Sequence, residues 1–456
     1  MSDTIVIGGG IAGLSAAWEI ARRGGRPLVL EQGPRAGGVI LTEHIDGFVI
    51  DGGPDALLIQ KPAAVALCQE LGLGDRLFPT TMPRTAFVLR KGRLVPLPEA
   101  SFLGIPIRIA PFVTTRLFSW PGKLRMGLEV VIPRKRDAGA DESIGSFMRR
   151  RFGQEAVTYL AEPLLAGIHA GDVERLSMRA LFPRLLDAEQ ARGSVIRSLR
   201  AMKMPPSPKG AFLSLPGGIG EFADTLVAKL PPGTVRTGAG VATVEGAGPY
   251  RVTLTSGETL EARTVVVAVP AWAAAPMLEP LDRELAARCR EIPYVSSATV
   301  AFGLKREQVR HPLSGSGFVV PRAERKALMA ASWVSSKWAH RAPEGMVLLR
   351  GFLGGAYDPE VLQQNDQTLT RLAFDELSAL LGITGEPVLT RVYRWPRASA
   401  QHEVGHHARM AAIDARLAAH PGLFVTGSGF RGSGIPDCVS DGRATGAGVM
   451  EQSQGA

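Results

Sequence analysis

A short β-branched run, Ile5-Val6-Ile7, ends in Gly8-Gly9-Gly10-Ile11-Ala12-Gly13, and a helix-like stretch follows at once. Few patterns restrict a fold so tightly. Glycines between a strand and a helix allow a tight turn and let backbone N–H groups approach a pyrophosphate at the positive end of the helix. Eighteen residues after Gly13, Glu31 closes a second apolar run, Pro27-Leu28-Val29-Leu30. An acid at that distance accepts hydrogen bonds from ribose hydroxyls. With 53 Gly in 456 residues, the bare glycine spacing arises by chance on the order of once. The strand before it, the helix after it and the acid beyond it make it a dinucleotide-binding β-α-β unit.

The chain continues Gln32-Gly33-Pro34-Arg35-Ala36-Gly37-Gly38-Val39-Ile40 and then Asp51-Gly52-Gly53-Pro54-Asp55-Ala56. This second glycine-rich turn with an arginine resembles the one that follows the ribose-binding acid in flavoproteins of the amine oxidase and porphyrinogen oxidase class, where the chain passes close to the flavin. A nicotinamide-only domain has no reason to carry it. The alternative reading is a Gly/Pro-rich connector.

At 456 residues the chain suits two or three domains. The 52 Lys+Arg against 43 Asp+Glu leave +9, which favours anionic partners. No basic run is interleaved with aromatics, so nucleic acid is the weakest of them. Cys68, Cys289 and Cys438 are far apart, which argues for a reducing compartment and against a disulfide scaffold or a metal site. The nucleotide fold begins within the first 20 residues and no 18-residue stretch is free of charge and proline. The expectation is a cytoplasmic enzyme, at most peripheral on a membrane.

Three separated pieces read as one interrupted, discontinuous Rossmann-type domain: the opening unit, the buried-strand pattern Ala262-Arg263-Thr264-Val265-Val266-Val267-Ala268-Val269-Pro270, and Gly422-Leu423-Phe424-Val425-Thr426-Gly427 with the helix-like Gly442 to Met450. The expected division is 1–94, 206–280 and 416–456 for the nucleotide domain, 95–205 for a mainly helical insertion, and 281–415 for a sheet-based substrate domain. The class is therefore α/β with α+β. Between Ala100 and Arg136 the helical insertion carries many apolar residues, seven basic residues and the single acid Glu129. It reads either as a face for an anionic membrane or as an ordinary solvated lobe. No second β-α-β unit with its own glycine turn stands out, so reduced cofactor must pass its electrons to oxygen or another acceptor.

Near the end stands Thr426-Gly427-Ser428-Gly429-Phe430-Arg431-Gly432-Ser433-Gly434-Ile435-Pro436-Asp437-Cys438-Val439. Glycines before a helix start supply N–H donors and a positive dipole, suited to the electron-rich edge of a reduced flavin. With the opening motif, this segment resembles the oxygen-dependent porphyrinogen oxidases of haem synthesis. The blocks Gly104-Ile105-Pro106-Ile107-Arg108-Ile109-Ala110-Pro111-Phe112-Val113, Glu162-Pro163-Leu164-Leu165-Ala166-Gly167-Ile168-His169-Ala170-Gly171-Asp172 and Arg394-Trp395 resemble the bacterial coproporphyrinogen III oxidase branch.

The resemblance implies one non-covalent FAD, held by Gly8, Gly9, Gly10, Ile11, Ala12, Gly13, Glu31, Gln32, Gly38, Val39, Gly53, Pro54, Asp55, Ala56, Val241, Trp395, Gly434, Ile435 and Pro436. It implies substrate contacts at Lys61 and His169, although His169 stands where the branch usually has tyrosine and Asp51 where it has glutamate. Ala86 stands where protoporphyrinogen-specific relatives carry an arginine, which tilts the reading to the coproporphyrinogen branch. The implied reaction is the six-electron oxidation of a porphyrinogen, with oxygen accepting the electrons and peroxide released. No catalytic acid or base and no metal set stands out, and monomer and homodimer remain equal expectations. Rival readings are a protoporphyrinogen-specific oxidase, a flavin amine oxidase, a carotenoid desaturase and a flavin-binding redox module without turnover.

Overall fold

The strand Thr4–Ile7 is buried at every position and pairs in parallel on both sides, with Pro27–Leu30 and with Thr264–Val267. Continuous burial is what a central parallel strand needs, because both of its faces are covered. Val235–Arg236 and Leu423–Val425 complete a five-stranded sheet in the order 235–236, 27–30, 4–7, 264–267, 423–425, parallel throughout. The three separated sequence pieces therefore meet in one sheet. The computed structural model describes residues 3–98, 101–102, 105–106, 109–137, 139–201 and 210–454. Gly104, Ile107 and Arg108 of the family block, and Ala100, Leu103 and Ile107 of the basic apolar segment, lie outside the described residues.

Alternation along the central strand sends residues to two cores. Val6 packs with Leu14, Leu226, Val266 and Val439 under the helices Ile11–Arg22, Gly220–Lys229 and Ile435–Gln454. Ile5 and Ile7 pack on the opposite face with Ala274, Leu285, Cys289 and Ile413. The last helix lies against the first through small residues: a Cβ on Gly442 would run into the Ala12 carbonyl oxygen, and one on Gly446 would stand 2.6 Å from that of Ala16. That close approach sets the N-terminus of Ile435–Gln454 beside the opening glycine turn.

A seven-stranded sheet runs 389–400, 294–305, 346–354, 328–333, 317–319, 86–90, 93–96. Helix Asp366–Leu381 buries Leu369, Ala373, Leu377 and Leu381 against it. The hairpin Ala86–Arg90/Arg93–Pro96, which the expected division split between 1–94 and 95–205, pairs with Gly317–Val319 of this sheet instead. Helices Arg283–Arg290 and His406–Leu417, grouped by sequence within 281–415, contribute Leu285 and Ile413 to the core of the parallel sheet. In both places chain continuity groups residues that side-chain packing separates. Helix Glu162–His169 packs against the large sheet, where a Cβ on Gly167 would touch Val319 and Ala330.

The helical piece has its own core of Phe147, Phe152, Leu160 and Leu199, built around a fully buried ion pair between Arg151 and Glu129. Glu129 also accepts from Ser194 Oγ at 2.5 Å and from the Val195 N–H at 2.8 Å, so the acid the sequence shows alone in its segment is an internal strut. Among the described residues, no helix is long and apolar enough to cross a membrane.

The crowding at Gly442 generates a first expectation. A leucine there cannot be seated without separating the first and last helices. Gly442→Leu should lower unfolding free energy by about 1–3 kcal/mol and reduce retained flavin. Denaturant titration with a parallel flavin assay measures both.

Candidate active site

Gly8 has φ +108°, a value that L side chains rarely adopt, and a Cβ on Gly13 would run into the Gly8 carbonyl oxygen. The first turn is therefore closed to any larger residue at these two positions. At Gly10 the situation is reversed: nothing lies within 4 Å of where a Cβ would point, so its backbone faces open space at the helix N-terminus. Ile11 and Ala12, in the first helical turn, are buried behind it. Glu31 accepts the Gly9 N–H at 2.8 Å with one oxygen and the Gly33 N–H at 2.7 Å with the other. Each carboxylate oxygen keeps a further lone-pair direction for a ribose hydroxyl.

The second glycine turn is fastened to the first. The Gly37 N–H donates to Gly9 O at 2.7 Å, and a Cβ on Gly38 would stand 3.2 Å from Gly10 Cα. Arg35 donates to Ile40 O at 2.9 Å and to Gly38 O at 2.7 Å, so it braces this turn from within. Gly53 then crosses Val39 so closely that a Cβ would meet the Val39 carbonyl oxygen, and the Trp395 ring stands 3.6 Å from that same point. Trp395 Nε1 donates to Gly52 O at 3.0 Å, and the Tyr393 ring fills the space where a Gly52 side chain would lie. Gln32 flanks Gly240, next to the buried Val241, at the Glu31 end. These contacts line up Val241, Gln32, Glu31, Gly10, Gly38, Val39, Gly53 and Trp395 as one run of adjacent positions.

Asp55 does not offer its carboxylate to this run. It is buried and accepts from Lys337 Nζ at 2.8 Å and Trp338 Nε1 at 3.1 Å, with Arg350 at 3.4 Å. Burial opposes the charge, but Lys337 and Arg350 hold the carboxyl well below the usual range. Beside it Asp51 takes hydrogen bonds from Thr42 at 2.6 Å and the Ile219 N–H at 2.9 Å and faces Arg341 at 3.2 Å. Arg350 donates to Asp51 O and, at 2.8 Å, to Gly53 O. Sequence reading missed Lys337, Arg341 and Arg350. Arg350 alone had a local signal, a lone charge within the apolar run Met346-Val347-Leu348-Leu349-Arg350-Gly351-Phe352-Leu353.

The closing segment brings Gly434, Ile435 and Pro436 to the start of helix Ile435–Gln454. Lys61, expected to meet substrate, donates to both oxygens of Asp437 in this first turn, at 2.8 and 2.7 Å. His169 ends helix Glu162–His169, and its carbonyl accepts from Ser399 Oγ at 2.9 Å and Gln401 Nε2 at 3.0 Å. Burial, and then His402 and Lys61, push the His169 imidazole down to about 4. The structure therefore brings Lys61, His169, His402 and Asp437 within electrostatic reach of one another. His402 and His406 stack at 3.9 Å, donating from Nε2 to Ser428 O at 2.9 Å and Phe430 O at 2.7 Å. A carbonyl only accepts, so both rings carry their proton on Nε2. Cys438 is buried, and burial pushes its thiol up to about 12.

Burial lowers His402 and carries His406 down to about 4, so both stay neutral at working pH. An unfolded histidine titrates near 6.5. The folded chain therefore binds fewer protons than the unfolded one between 6.5 and about 4, and stability falls as pH drops through that window. His406 alone accounts for about 3 kcal/mol at most. Urea titrations at pH 7.5 and 5 should show the loss, and His406→Gln, which keeps a donor for Phe430 O without titrating, should make it smaller.

The description "Flavin containing amine oxidoreductase" fits residues 11–450. The Coproporphyrinogen III oxidase of Bacillus subtilis (strain 168) is 36% identical over 97% of this chain and 98% of its own. That of Staphylococcus aureus is 30% identical over 98% of each chain. The chloroplastic Protoporphyrinogen oxidase of Nicotiana tabacum is 29% identical over 96% of this chain and 83% of its own. A crystal structure assigned as a protoporphyrinogen oxidase, from Exiguobacterium sp. 255-15, superposes with a TM-score of 0.89 at 29% identity over 99% of both chains. With the glycine turns, the acid and the closing helix in their places, the chain belongs to the flavin-containing amine oxidoreductase family, among the relatives of coproporphyrinogen III oxidase.

Proposed function

We propose that this protein oxidises coproporphyrinogen III to coproporphyrin III in haem biosynthesis, with protoporphyrinogen IX as the alternative substrate and oxygen as electron acceptor. The chain is a flavin-dependent oxidoreductase related over nearly its whole length to porphyrinogen oxidases. The observation that supports the reading is the run of adjacent positions from Glu31 to Trp395, with Lys61 and His169 gathered beside the closing helix start.

The group that fits this run is FAD. Glu31 would take the ribose hydroxyls, the open backbone at Gly10 the pyrophosphate, and the Gly434–Pro436 helix start the electron-rich edge of the ring. Bound flavin supplies hydride acceptance, two electrons at a time, so six electrons leave the substrate in three rounds and three oxygen molecules become three peroxides. We read the cofactor as non-covalent, because Cys438 is buried as a neutral thiol. Lys61 and the neutral His169 hold a propionate and orient the macrocycle, and pyrrole protons leave to solvent.

Glu31→Ala should weaken FAD binding by about 1–3 kcal/mol, and denaturation of the wild type should release all of its colour. Flavin left on the precipitated chain would rule out non-covalent binding. Porphyrin fluorescence appearing under air from coproporphyrinogen III and protoporphyrinogen IX, with benzylamine and phytoene as controls, separates this function from its rivals. Turnover of benzylamine alone would assign an amine oxidase.

Peripheral membrane contact is part of the proposal. Trp120, Leu124, Leu128 and Val131 are 65%, 70%, 54% and 67% exposed; Trp120 and Leu124 share one face of the helix Trp120–Gly127, and Leu128 and Val131 follow in and just after the 3-10 turn Leu128–Val130. Arg116, Arg134 and Arg136 are exposed near them in the chain. Such a segment with basic flanks suits anionic lipid. Sedimentation with phosphatidylglycerol vesicles should show binding at low salt that Leu124→Glu/Leu128→Glu abolishes. No pelleting at low salt would leave a solvated lobe.

A further inference from the structure

We infer that Asp437 is an internal carboxylate that competes with the carboxylates of the substrate for Lys61, and so sets how strongly the site favours a more highly carboxylated porphyrinogen. The inference rests on the reading that Lys61 meets a substrate propionate.

The two partners are held unequally. Asp437 sits in the first turn of the 20-residue helix Ile435–Gln454, where the positive helix end favours an anion, and its Oδ2 accepts the Gly434 N–H at 3.3 Å. It is fixed without Lys61. Lys61 lies on a four-carbon stem just past the short strand Leu57–Leu58, with its own backbone N–H tied to Leu58 O at 3.2 Å. Its side chain is 50% exposed against 23% for Asp437. The lysine can therefore swing away while the acid stays. Two of its three N–H groups face Asp437, leaving one for an incoming carboxylate before the pair has to open.

Charge decides what the exchange does. His169 and His402 face this pair and are neutral, as burial dictates, while Cys438 beside Asp437 keeps its proton. The cluster of Lys61, Asp437, His169 and His402 thus carries a net charge of zero. An incoming propionate meets a lysine whose charge is already matched, and each additional propionate finds less attraction than a free lysine would exert. Asp437 is a positioning and specificity residue in this account, acting through Lys61.

Asp437→Asn keeps an oxygen for the Gly434 N–H and removes the charge, and Asp437→Ser, which keeps a side-chain oxygen without a charge, serves if the first variant loses flavin. The measurement is KM and kcat for coproporphyrinogen III, with four propionates, and protoporphyrinogen IX, with two. Asp437→Asn should lower KM for the four-propionate substrate about two- to five-fold, the range an exposed ion pair is worth, and lower it less for the other. The change should steepen the salt dependence of KM and vanish in a Lys61→Met background. If Lys61→Met raises KM but Asp437→Asn leaves it unchanged or raises it, the competition is overturned while Lys61 keeps its substrate role. If Lys61→Met leaves KM unchanged, the role of Lys61 falls first and the inference with it.

Discussion

Arg350 carries a full charge into the middle of a β-sheet and spends it on the carbonyls of Asp51 and Gly53. Removing a guanidinium from water costs several kcal/mol unless carboxylates and hydrogen bonds compensate. Asp55 and Asp51 do so, and Lys337 and Arg341 complete a nearly buried group of three cations and two acids. Arg341 extends the tie to Ser214 Oγ at 2.8 Å and Leu215 O at 3.2 Å. Four stretches of chain are thereby locked together under the second glycine turn. A hydrophobic contact of the same size would tolerate sliding, whereas this network holds only if each donor meets its acceptor.

The rigidity matters because Gly53 has to cross Val39 at backbone contact. A turn free to breathe would lose its register with Trp395 and Tyr393. The network therefore stabilises a shape whose glycines contribute no packing of their own. Arg341 Nε and Nη1 and Arg350 Nε have no hydrogen-bond partner and are buried.

Local chemistry made the opening unit legible in the sequence. Glycine freedom, strand burial and the reach of Glu31 are all decided within a few residues of one another. The parallel strands at Thr264–Val267 and Leu423–Val425 were legible because doubly covered strands are apolar throughout. The hairpin at Ala86–Pro96 was not, since its partner Gly317–Val319 lies more than 200 residues away and no local pattern reports a parallel pairing at that distance. The same holds for Asp55. A motif placed it beside the cofactor, but its partners Lys337, Trp338 and Arg350 come from another part of the chain, and burial assigns its side chain to them. The segment from Trp120 to Val131 was legible as apolar and basic, yet only the fold distinguishes the exposed Leu124 from the buried Phe118.

The closing segment joins these lessons, because it is pinned from two sides by groups of opposite character. Charge governs one side, where Asp437 and Lys61 join the helix start to the turn after Leu58. On the other side the stacked imidazoles of His402 and His406 donate to Ser428 O and Phe430 O without bringing a charge. Cationic histidines there would stand beside a helix N-terminus that is already positive, and burial would add the cost of desolvating them. Neutral donors satisfy the carbonyls of the glycine loop and leave its charges to the helix start and to the ion pairs Lys61–Asp437 and Arg431–Asp414. Of these two pairs, Lys61–Asp437 is the one in the first turn of the closing helix, so the charge at that helix start depends on whether Lys61 stays on Asp437.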